Sequence, residues 1–300
     1  MVTSSSLLQK IENGDVKSLA RAITTVENEL QGSMELLEKI KLRKVPLIGI
    51  TGPPGAGKSS LVNALVHHLL KQNLKIGIVA VDPSSPFNFG SLLGDRIRLS
   101  AHFNDSNVFI RSMATRGSLG GLSEKIMEVT DVMRAFPFDY IFIETVGVGQ
   151  SEVEIAGLAD TTVVVMVPEA GDEIQTMKAG LMEIADIFVV NKSDRADADR
   201  FAKNLRTLAA STMTEAWVIP VVKTVATSDE GIDELLQQIA QHSNISFSNS
   251  RKIMLLAEKA WRIIRQERMK DISKKMLLEA LQQEQLEEGF NLYRFVKRFV

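Results

Sequence analysis

The strongest chemical signal in the chain is the run GPPGAGKS at residues 52–59, which matches the pattern G-x-x-x-x-G-K-[ST]. The run follows an apolar stretch at 45–51 and precedes a helical pattern at 59–70, so we predict that it joins a strand to a helix. Glycines allow successive backbone N–H groups to face phosphate oxygens, and the helix amino terminus adds partial positive charge. We therefore predict a phosphate-binding loop in which Lys58 reaches the β- and γ-phosphates and Ser59 ligates Mg²⁺. The nucleotide-binding residues of this loop are predicted to be Gly52, Pro53, Pro54, Gly55, Ala56, Gly57, Lys58, Ser59 and Ser60.

A second signal is NKSD at residues 191–194, which follows the apolar strand pattern at 186–190. A carboxylate at Asp194 can accept hydrogen bonds from guanine N1–H and the 2-amino group together, whereas adenine presents no such pair of donors. With Asn191 and Lys192 beside it, this carboxylate favours GTP over ATP as the nucleotide.

A third segment is expected to lie against the base. The residues Thr224, Val225 and Ala226 follow the strand pattern at 217–222, where a loop can add backbone contacts to guanine. Val225 stands where serine is usual in such loops, which weakens the prediction for this segment alone.

Carboxylates at the ends of two strand patterns are candidates for holding a metal ion. Glu144 ends the pattern at 140–143 and gives E-x-x-G where many GTPases carry D-x-x-G, so Gly147 is placed to sense a γ-phosphate. Asp82 closes the second strand pattern, and Asp95 follows it; the alternative is that both are turn residues. The predicted metal ligands are Ser59, Asp82, Asp95 and Glu144, and the predicted catalytic residues are Lys58, Asp82 and Glu144.

Two glycine-rich polar segments, at 111–122 and 168–175, are each predicted to join a strand to a helix on the phosphate side of the sheet. We interpret them as candidate switch loops. Arg116 or Lys178 could supply charge to a transition state, with plain solvation of these side chains as the alternative.

The residue that orients the attacking water is not the one found in many GTPases. There a glutamine follows the glycine of D-x-x-G, whereas here Gly147 is followed by Val148, which cannot form a hydrogen bond. Asp82 is then the best remaining candidate for positioning water, with Gln150 as the alternative. We therefore expect slow hydrolysis by the protein on its own.

The middle of the chain carries short β-rich runs separated by amphipathic helical patterns. These runs are VPLIGIT, KIGIVAVD, VFIRSM, DYIFIE, TTVVVMVP, DIFVVN and WVIPVV. Near-continuous apolar strands suit a sheet that is covered on both faces. We predict an α/β fold with a doubly wound, mainly parallel sheet and helical extensions at both ends, with a P-loop domain at 45–242.

The two ends of the chain are predicted to be helical. The amino-terminal extension, 1–44, has helical spacing from 7 to 42, with Asp15 placed to cap a helix that begins at Val16. The carboxy-terminal segment, 243–300, lacks strand signals and carries apolar residues, so we predict an arm that dimerises with a second copy. The alternative is that the arm packs on its own P-loop domain.

Composition excludes several classes of function. The 300 residues carry 35 basic and 37 acidic side chains, a net charge of −2 that predicts no affinity for nucleic acid or anionic membranes. No apolar run approaches the ~18 residues that span a bilayer. The absence of cysteine removes disulfides and thiolate metal sites and is compatible with a reducing compartment. We expect a cytoplasmic protein.

Several long motifs together resemble the MeaB/ArgK family of GTPases. They are GPPGAGKSS, VAVDPSSP, GSLLGDRIRL, RSMATRGSLGGLS, ETVGVGQSE, PEAGDEIQTMKAGLMEIAD and NKSD, with GDVKSLARAITTVEN near the amino terminus. The family belongs to a dimerising branch of P-loop GTPases. Its roles carry over to Lys58 and Ser59, to the three carboxylates around Mg²⁺, and to the NKSD residues at guanine. The segment Phe-Asn-Phe at 87–89 departs from the smaller residues that relatives often have.

The resemblance implies a partner. Proteins of this family bind methylmalonyl-CoA mutase, gate its loading with adenosylcobalamin and protect it from inactivation. The resemblance therefore implies a homodimer that uses GTP, GDP and Mg²⁺ to regulate that mutase or a related cobalamin-dependent enzyme. An older family label, an ATPase or kinase of lysine/arginine/ornithine transport, is the competing description.

Three other classes of function remain open from the residues. A transport or metabolic kinase would prefer ATP, and NKSD counts against that preference. An RNA-associated GTPase should carry a basic face, which the near-neutral composition does not suggest. A scaffold with an inactive nucleotide site would have lost Lys58 or the acidic metal residues.

Overall fold

The structure, a computed structural model, describes residues 4–82, 100–114, 123, 125–145, 151–171, 183–210, 217–245, 250–269, 271–283 and 290–299. The chain divides into two compact units, Met1–Phe247 and Ser248–Val300, which are taken one at a time below. The proposed boundaries of the extensions at 44 and 243 stay predictions.

A seven-stranded sheet forms the centre of the first unit. The strands are β1 (Leu47–Thr51), β2 (Ile76–Asp82), β3 (Val108–Ala114), β4 (Tyr140–Glu144), β5 (Thr161–Met166), β6 (Ile187–Val190) and β7 (Val221–Lys223). Their order across the sheet is β3-β2-β4-β1-β5-β6-β7, and all six neighbouring pairs are parallel. The parallel sheet predicted from the apolar runs is confirmed, and β1 occupies its centre.

Helices cover both faces of this sheet. They are α1 (Ser4–Glu12), α2 (Val16–Glu27), α3 (Ser33–Lys39), α4 (Lys58–Leu70), α5 (Ile126–Ala135), α6 (Ser151–Leu158), α7 (Ala198–Ala210) and α8 (Ile232–Ser243). Along β5, Val163 and Val165 share a core with α4 and α8, whereas Val164 and Met166 share one with α7. Successive strand residues point to opposite faces. The doubly wound arrangement is therefore confirmed.

The amino-terminal helices follow the capping signals in the sequence. Asp15 accepts a hydrogen bond from the Ser18 N–H at 3.0 Å and caps α2, which begins at Val16 as predicted. This hydrogen bond holds the pKa of the Asp15 carboxyl below its ordinary value. Leu19 and Ile23 of α2 are fully buried in a core shared with α5. The amino-terminal helices are thus packed against the helical layer of the sheet.

The second unit consists of helices in its described residues: α9 (Ser250–Arg268), α10 (Lys274–Gln283) and α11 (Leu292–Val296). Its predicted helical character is confirmed there. Several large apolar side chains of α9 are exposed, namely Ile253, Leu256, Trp261 and Ile264. Among the helices that the structure describes, none has the length and apolar character needed to cross a membrane.

Two local expectations were wrong. The loop prediction at 111–122 is wrong at its start, because Arg111–Ala114 completes β3, as the run VFIRSM predicted, and Arg111 pairs with Glu27 of α2; residues 115–122 lie outside the described part. The last strand is shorter than its apolar run and is shifted, because Pro220 has no N–H to donate to a neighbouring strand.

Candidate functional site

The loop between β1 and α4 has the backbone that the phosphate-binding motif requires. Gly52, Gly55 and Gly57 have φ values of 134°, 77° and 88°, a region that other residues rarely adopt. A Cβ at Gly52 would lie 2.1 Å from the Val165 carbonyl oxygen, so glycine is also required by the close approach of β5. Gly57 is the N-cap of α4 and has no side chain that could cap the helix. Backbone N–H groups at a helix amino terminus are a common binding site for anions.

Lys58 is the first residue of α4 and is buried. Its Nζ donates to the carbonyl oxygens of Gly52 at 2.9 Å and Pro53 at 3.0 Å. The ammonium group is therefore held at the phosphate-binding loop by neutral acceptors. Phosphate oxygens are stronger acceptors because they are charged.

Ser59 and Glu144 come together across the site. The Ser59 hydroxyl donates to Glu144 Oε1 at 2.5 Å, and both side chains are 6% exposed. The neighbouring Thr145 hydroxyl donates to Thr51 Oγ1 at 2.9 Å, so the end of β4 is tied to the end of β1. Hydroxyl and carboxylate oxygens are the ligands that Mg²⁺ prefers. These two residues fit a magnesium site.

The other two predicted metal ligands are Asp82 and Asp95, and their side chains lie outside the described residues. Asp82 ends β2, at a Cα paired with Ala114 of β3, but its side chain lies outside the described residues. Asp95, Gly147, Val148 and Gln150 also lie outside them, as do Arg116 and Lys178. Within the described residues, no group of three or more His, Asp or Glu side chains could hold a metal ion.

Asn191 joins three parts of the site. Its Nδ2 donates to the Ala56 carbonyl at 2.9 Å, while its Oδ1 accepts from the Thr224 hydroxyl at 3.1 Å and the Ala226 N–H at 3.2 Å. The side chain is 2% exposed. Lys192 adds a parallel contact, since its Nζ donates to the Gly55 carbonyl at 2.9 Å. The motif was predicted to bind guanine, and these two residues also brace the phosphate-binding loop.

The segment that follows β7 is anchored through its backbone. The Thr224 N–H donates to the Val190 carbonyl at 2.9 Å, and the Thr224 carbonyl accepts from the Ser193 N–H at 3.0 Å. The Val225 side chain is buried, which explains why valine is accommodated there. Asp194 is exposed on the adjacent loop. The segment and the NKSD loop therefore form one connected surface.

A cleft that the sequence did not reveal runs along α4. It is lined by Ser59, Ser60, Asn63, Ala64, His67, Ala226, Thr227 and Asp229. Ser60, Asn63 and His67 share one face of α4 at helical spacing, a signal that could have identified them. The cleft extends from Ser59, next to the phosphate-binding loop, to the segment after β7.

The second candidate switch loop is described in part. Pro168–Gly171 forms a short 3-10 helix after β5, and residues 172–175 lie outside the described part. Glu169 pairs with Arg195, which directly follows NKSD, and this pair holds the pKa of the Glu169 carboxyl below its ordinary value. This ion pair therefore links the beginning of the loop to the residue that follows NKSD.

The fold and the site define a class of protein. A parallel sheet with a phosphate-binding loop after its central strand, and an NKSD loop after a strand on the same edge, is the arrangement of a P-loop GTPase. Residues 19–283 match the family described as Methylmalonyl Co-A mutase-associated GTPase MeaB, and the chain belongs to this family. The resemblance inferred from the motifs is confirmed, and family membership implies a bound guanine nucleotide.

Relatives in three organisms agree with this assignment. A Pyrococcus abyssi protein named as a GTPase is 51% identical over 242 residues, covering 79% of this chain and 75% of its own. GTPase ArgK of Escherichia coli is 37% identical over 198 residues, 64% of this chain and 60% of ArgK. The mouse methylmalonic aciduria type A homolog, mitochondrial, is 36% identical over 244 residues, 74% of this chain and 59% of its own.

The fold is matched by a solved structure. The crystal structure of a LAO/AO transport system kinase superposes with a TM-score of 0.69 and 24% identity, covering 99% of this chain and 97% of that one. This match confirms the doubly wound P-loop fold.

Proposed function

We propose that this GTPase regulates an adenosylcobalamin-dependent acyl-CoA mutase, methylmalonyl-CoA mutase or a relative, by gating cofactor loading and protecting the enzyme. The observation that carries the proposal is the match of residues 19–283 to a family described by its association with that mutase. The name of the mouse relative, which refers to methylmalonic aciduria, supports it. A cytoplasmic location remains part of the proposal, because a chain without cysteine suits a reducing compartment.

In the proposed reaction, water attacks the γ-phosphorus of GTP, the bond to the β-phosphate oxygen breaks, and GDP and phosphate leave. Lys58 would exchange its two carbonyl partners for phosphate oxygens, which brings its charge to the transferred group. Asp82 would position the water. Asp194 would accept hydrogen bonds from guanine. Asn191 would connect the phosphate-binding loop with the segment after β7.

Magnesium is part of this proposal. Ser59 and Glu144 would hold it, because their oxygens already meet, with Asp82 and Asp95 as further ligands. When bound, the ion would neutralise charge on the β- and γ-phosphate oxygens. The Gly147 N–H would then sense the γ-phosphate from the loop after β4.

A homodimer formed through the carboxy-terminal arm completes the proposal. The exposed apolar side chains of α9 support it, since large exposed apolar surfaces are typical of protein interfaces. The competing function, an ATPase or kinase linked to lysine/arginine/ornithine transport, is supported by the name of the solved structure that shares the fold. The nucleotide preference separates the two, because the role proposed for Asp194 predicts that the protein binds GTP in preference to ATP.

Co-purification with methylmalonyl-CoA mutase tests the proposed partner. The purified chain and the mutase should elute as a complex whose amount differs between a non-hydrolysable GTP analogue, GDP and no nucleotide. Lys58→Ala should lose most GTP affinity, on the order of 100-fold in calorimetry, and with it the nucleotide response. Absence of a complex under all three conditions would overturn the proposed partner.

A further inference from the structure

Asp194, the residue proposed to accept hydrogen bonds from guanine, lies in an exposed turn that is held on both sides. A hydrogen bond from the Arg195 N–H to the Lys192 carbonyl at 3.1 Å closes the turn. On its amino-terminal side, the Ser193 N–H donates to the Thr224 carbonyl at 3.0 Å. The segment after β7 therefore fixes the beginning of the turn.

The other side of the turn is held by the Arg195 side chain, which forms a hydrogen-bonded ion pair with Glu169. Glu169 lies in the short 3-10 helix Pro168–Gly171, which follows β5. The hydrogen bond from Arg195 is the main cause that holds the pKa of the Glu169 carboxyl below its ordinary value, so the carboxylate is charged at neutral pH. Because β5 lies next to β6 in the sheet, the pair ties the end of the turn to the segment after the neighbouring strand.

We propose that Arg195, through its ion pair with Glu169, is a positioning residue that orients Asp194 for guanine recognition. This inference rests on the proposed nucleotide site and deepens it. The Asp194 carboxylate has to face two donors on the guanine edge at once, so a small rotation of the turn weakens both hydrogen bonds. A turn that is held in one conformation before binding lowers the cost of ordering it when the nucleotide binds. Loss of the ion pair should therefore weaken guanine binding, mainly through faster release.

The exposure of the pair sets the size of the expected effect. The Arg195 side chain is 47% exposed and the Glu169 side chain 51%, so water and salt screen their attraction. An exposed pair of this kind changes an equilibrium by up to about fivefold. The pair therefore refines the orientation of Asp194 in a site that other contacts build.

Release of fluorescent GDP and inosine diphosphate (IDP) from the full-length protein tests this role. Hypoxanthine lacks the 2-amino group of guanine, so Asp194 can accept one hydrogen bond from IDP instead of two. Arg195→Ala and Glu169→Ala should each release GDP about two- to fivefold faster than wild type, whereas the factor for IDP should be at most about half as large. Glu35→Ala, at an ion pair of similar exposure on α3, is the matched control and should release both nucleotides as wild type does.

The double variant Glu169→Ala/Arg195→Ala tests whether the two side chains act through one contact. If they do, it should release GDP no faster than the faster single variant. Sodium chloride at about 1 M, where the Debye length is about 3 Å, should also reduce the difference between wild type and the single variants.

The possible outcomes distinguish this inference from the nucleotide site on which it rests. Wild-type release of GDP by both single variants would overturn the role of Arg195, as would additive effects in the double variant. Equal factors for GDP and IDP would show that the pair does not act through Asp194, which would also overturn the inference. In these cases the nucleotide site would still stand. Failure of the wild-type protein to bind GDP would overturn the site itself and the inference with it.

Discussion

The Ser59 hydroxyl and the Glu144 carboxylate form a buried hydrogen bond of 2.5 Å that links the first turn of α4 to the end of β4. The start of α4 and the end of β4 are therefore in contact through these side chains. Ser59 and Glu144 would hold a metal ion through these two oxygens, with the Ser59 hydroxyl keeping its proton. The contact prepares the site for a cation because both oxygens are already desolvated.

Glu144→Gln tests the charge of this pair. Glutamine keeps the shape and an acceptor for Ser59 but removes the negative charge, so we expect GTP hydrolysis to fall on the order of 100-fold. Hydrolysis should be measured across a titration of MgCl₂, and the variant should need more magnesium. Glu35→Gln, at an exposed ion pair on α3, is the control. A magnesium response identical to wild type would remove Glu144 from the metal site.

Asp194→Asn tests recognition of the base. The amide presents a donor where the carboxylate presented an acceptor, so preference should shift from guanosine to xanthosine triphosphate, by on the order of 100-fold in relative affinity. Competition binding with both nucleotides measures the shift. Asp197→Asn, an exposed residue in the same loop, should leave the preference unchanged. If Asp194→Asn binds both nucleotides as wild type does, another group reads the base.

Asn191→Ala should damage both stability and binding. Removing the amide leaves the Ala56 carbonyl, the Thr224 hydroxyl and the Ala226 N–H without this partner, at a cost of about 2–4 kcal/mol in the free energy of unfolding. Urea unfolding measures this loss. The exposed Asn28→Ala, which removes a side-chain bond to the Thr24 carbonyl, should cost less than about 1 kcal/mol. Similar values for the two variants would refute the bracing role.

A chain that ends at Ser248 tests the proposed dimer arm. Without α9 to α11 the protein should sediment as a monomer, whereas the full-length chain should sediment as a dimer. Trp261, 62% exposed on α9, offers a second test, since Trp261→Glu should weaken the dimer at least tenfold if its indole is buried by the partner copy. A dimer that survives both changes would place the interface elsewhere.

The sequence predicted features that depend on local patterns. The phosphate-binding loop, the cap at Asp15 and the apolar strands each follow from the order of neighbouring residues, and the structure confirms where they lie. Contacts between residues that lie far apart in the sequence could not be predicted from such local patterns. Asn191 meets Ala56 across 135 positions and His68 meets Asp233 across 165, and only the folded sheet and its helices bring these pairs together.

The predicted boundaries of β3 and β7 also depend on contacts between distant segments. Two predictions overlapped at Arg111, because the run VFIRSM favoured a strand while the glycine-rich stretch from 111 favoured a loop. The strand prediction holds, since β3 pairs along its full length with β2 and the guanidinium contacts Glu27. The short β7 shows the opposite case, in which an apolar run suggested more strand than Pro220 allows.

Single-turnover GTP hydrolysis with and without methylmalonyl-CoA mutase tests the proposed regulation most directly. Val148 cannot orient water, so hydrolysis by the protein alone should be slow. Binding of the mutase should accelerate hydrolysis at least about tenfold through alignment of Asp82 and exclusion of bulk water. Asp82→Ala should bind GTP yet lose this acceleration. Full acceleration in Asp82→Ala would transfer the water-positioning role to Gln150 or another residue. A wild-type rate that is the same with and without the mutase would contradict the proposal that GTP hydrolysis by this protein serves that enzyme.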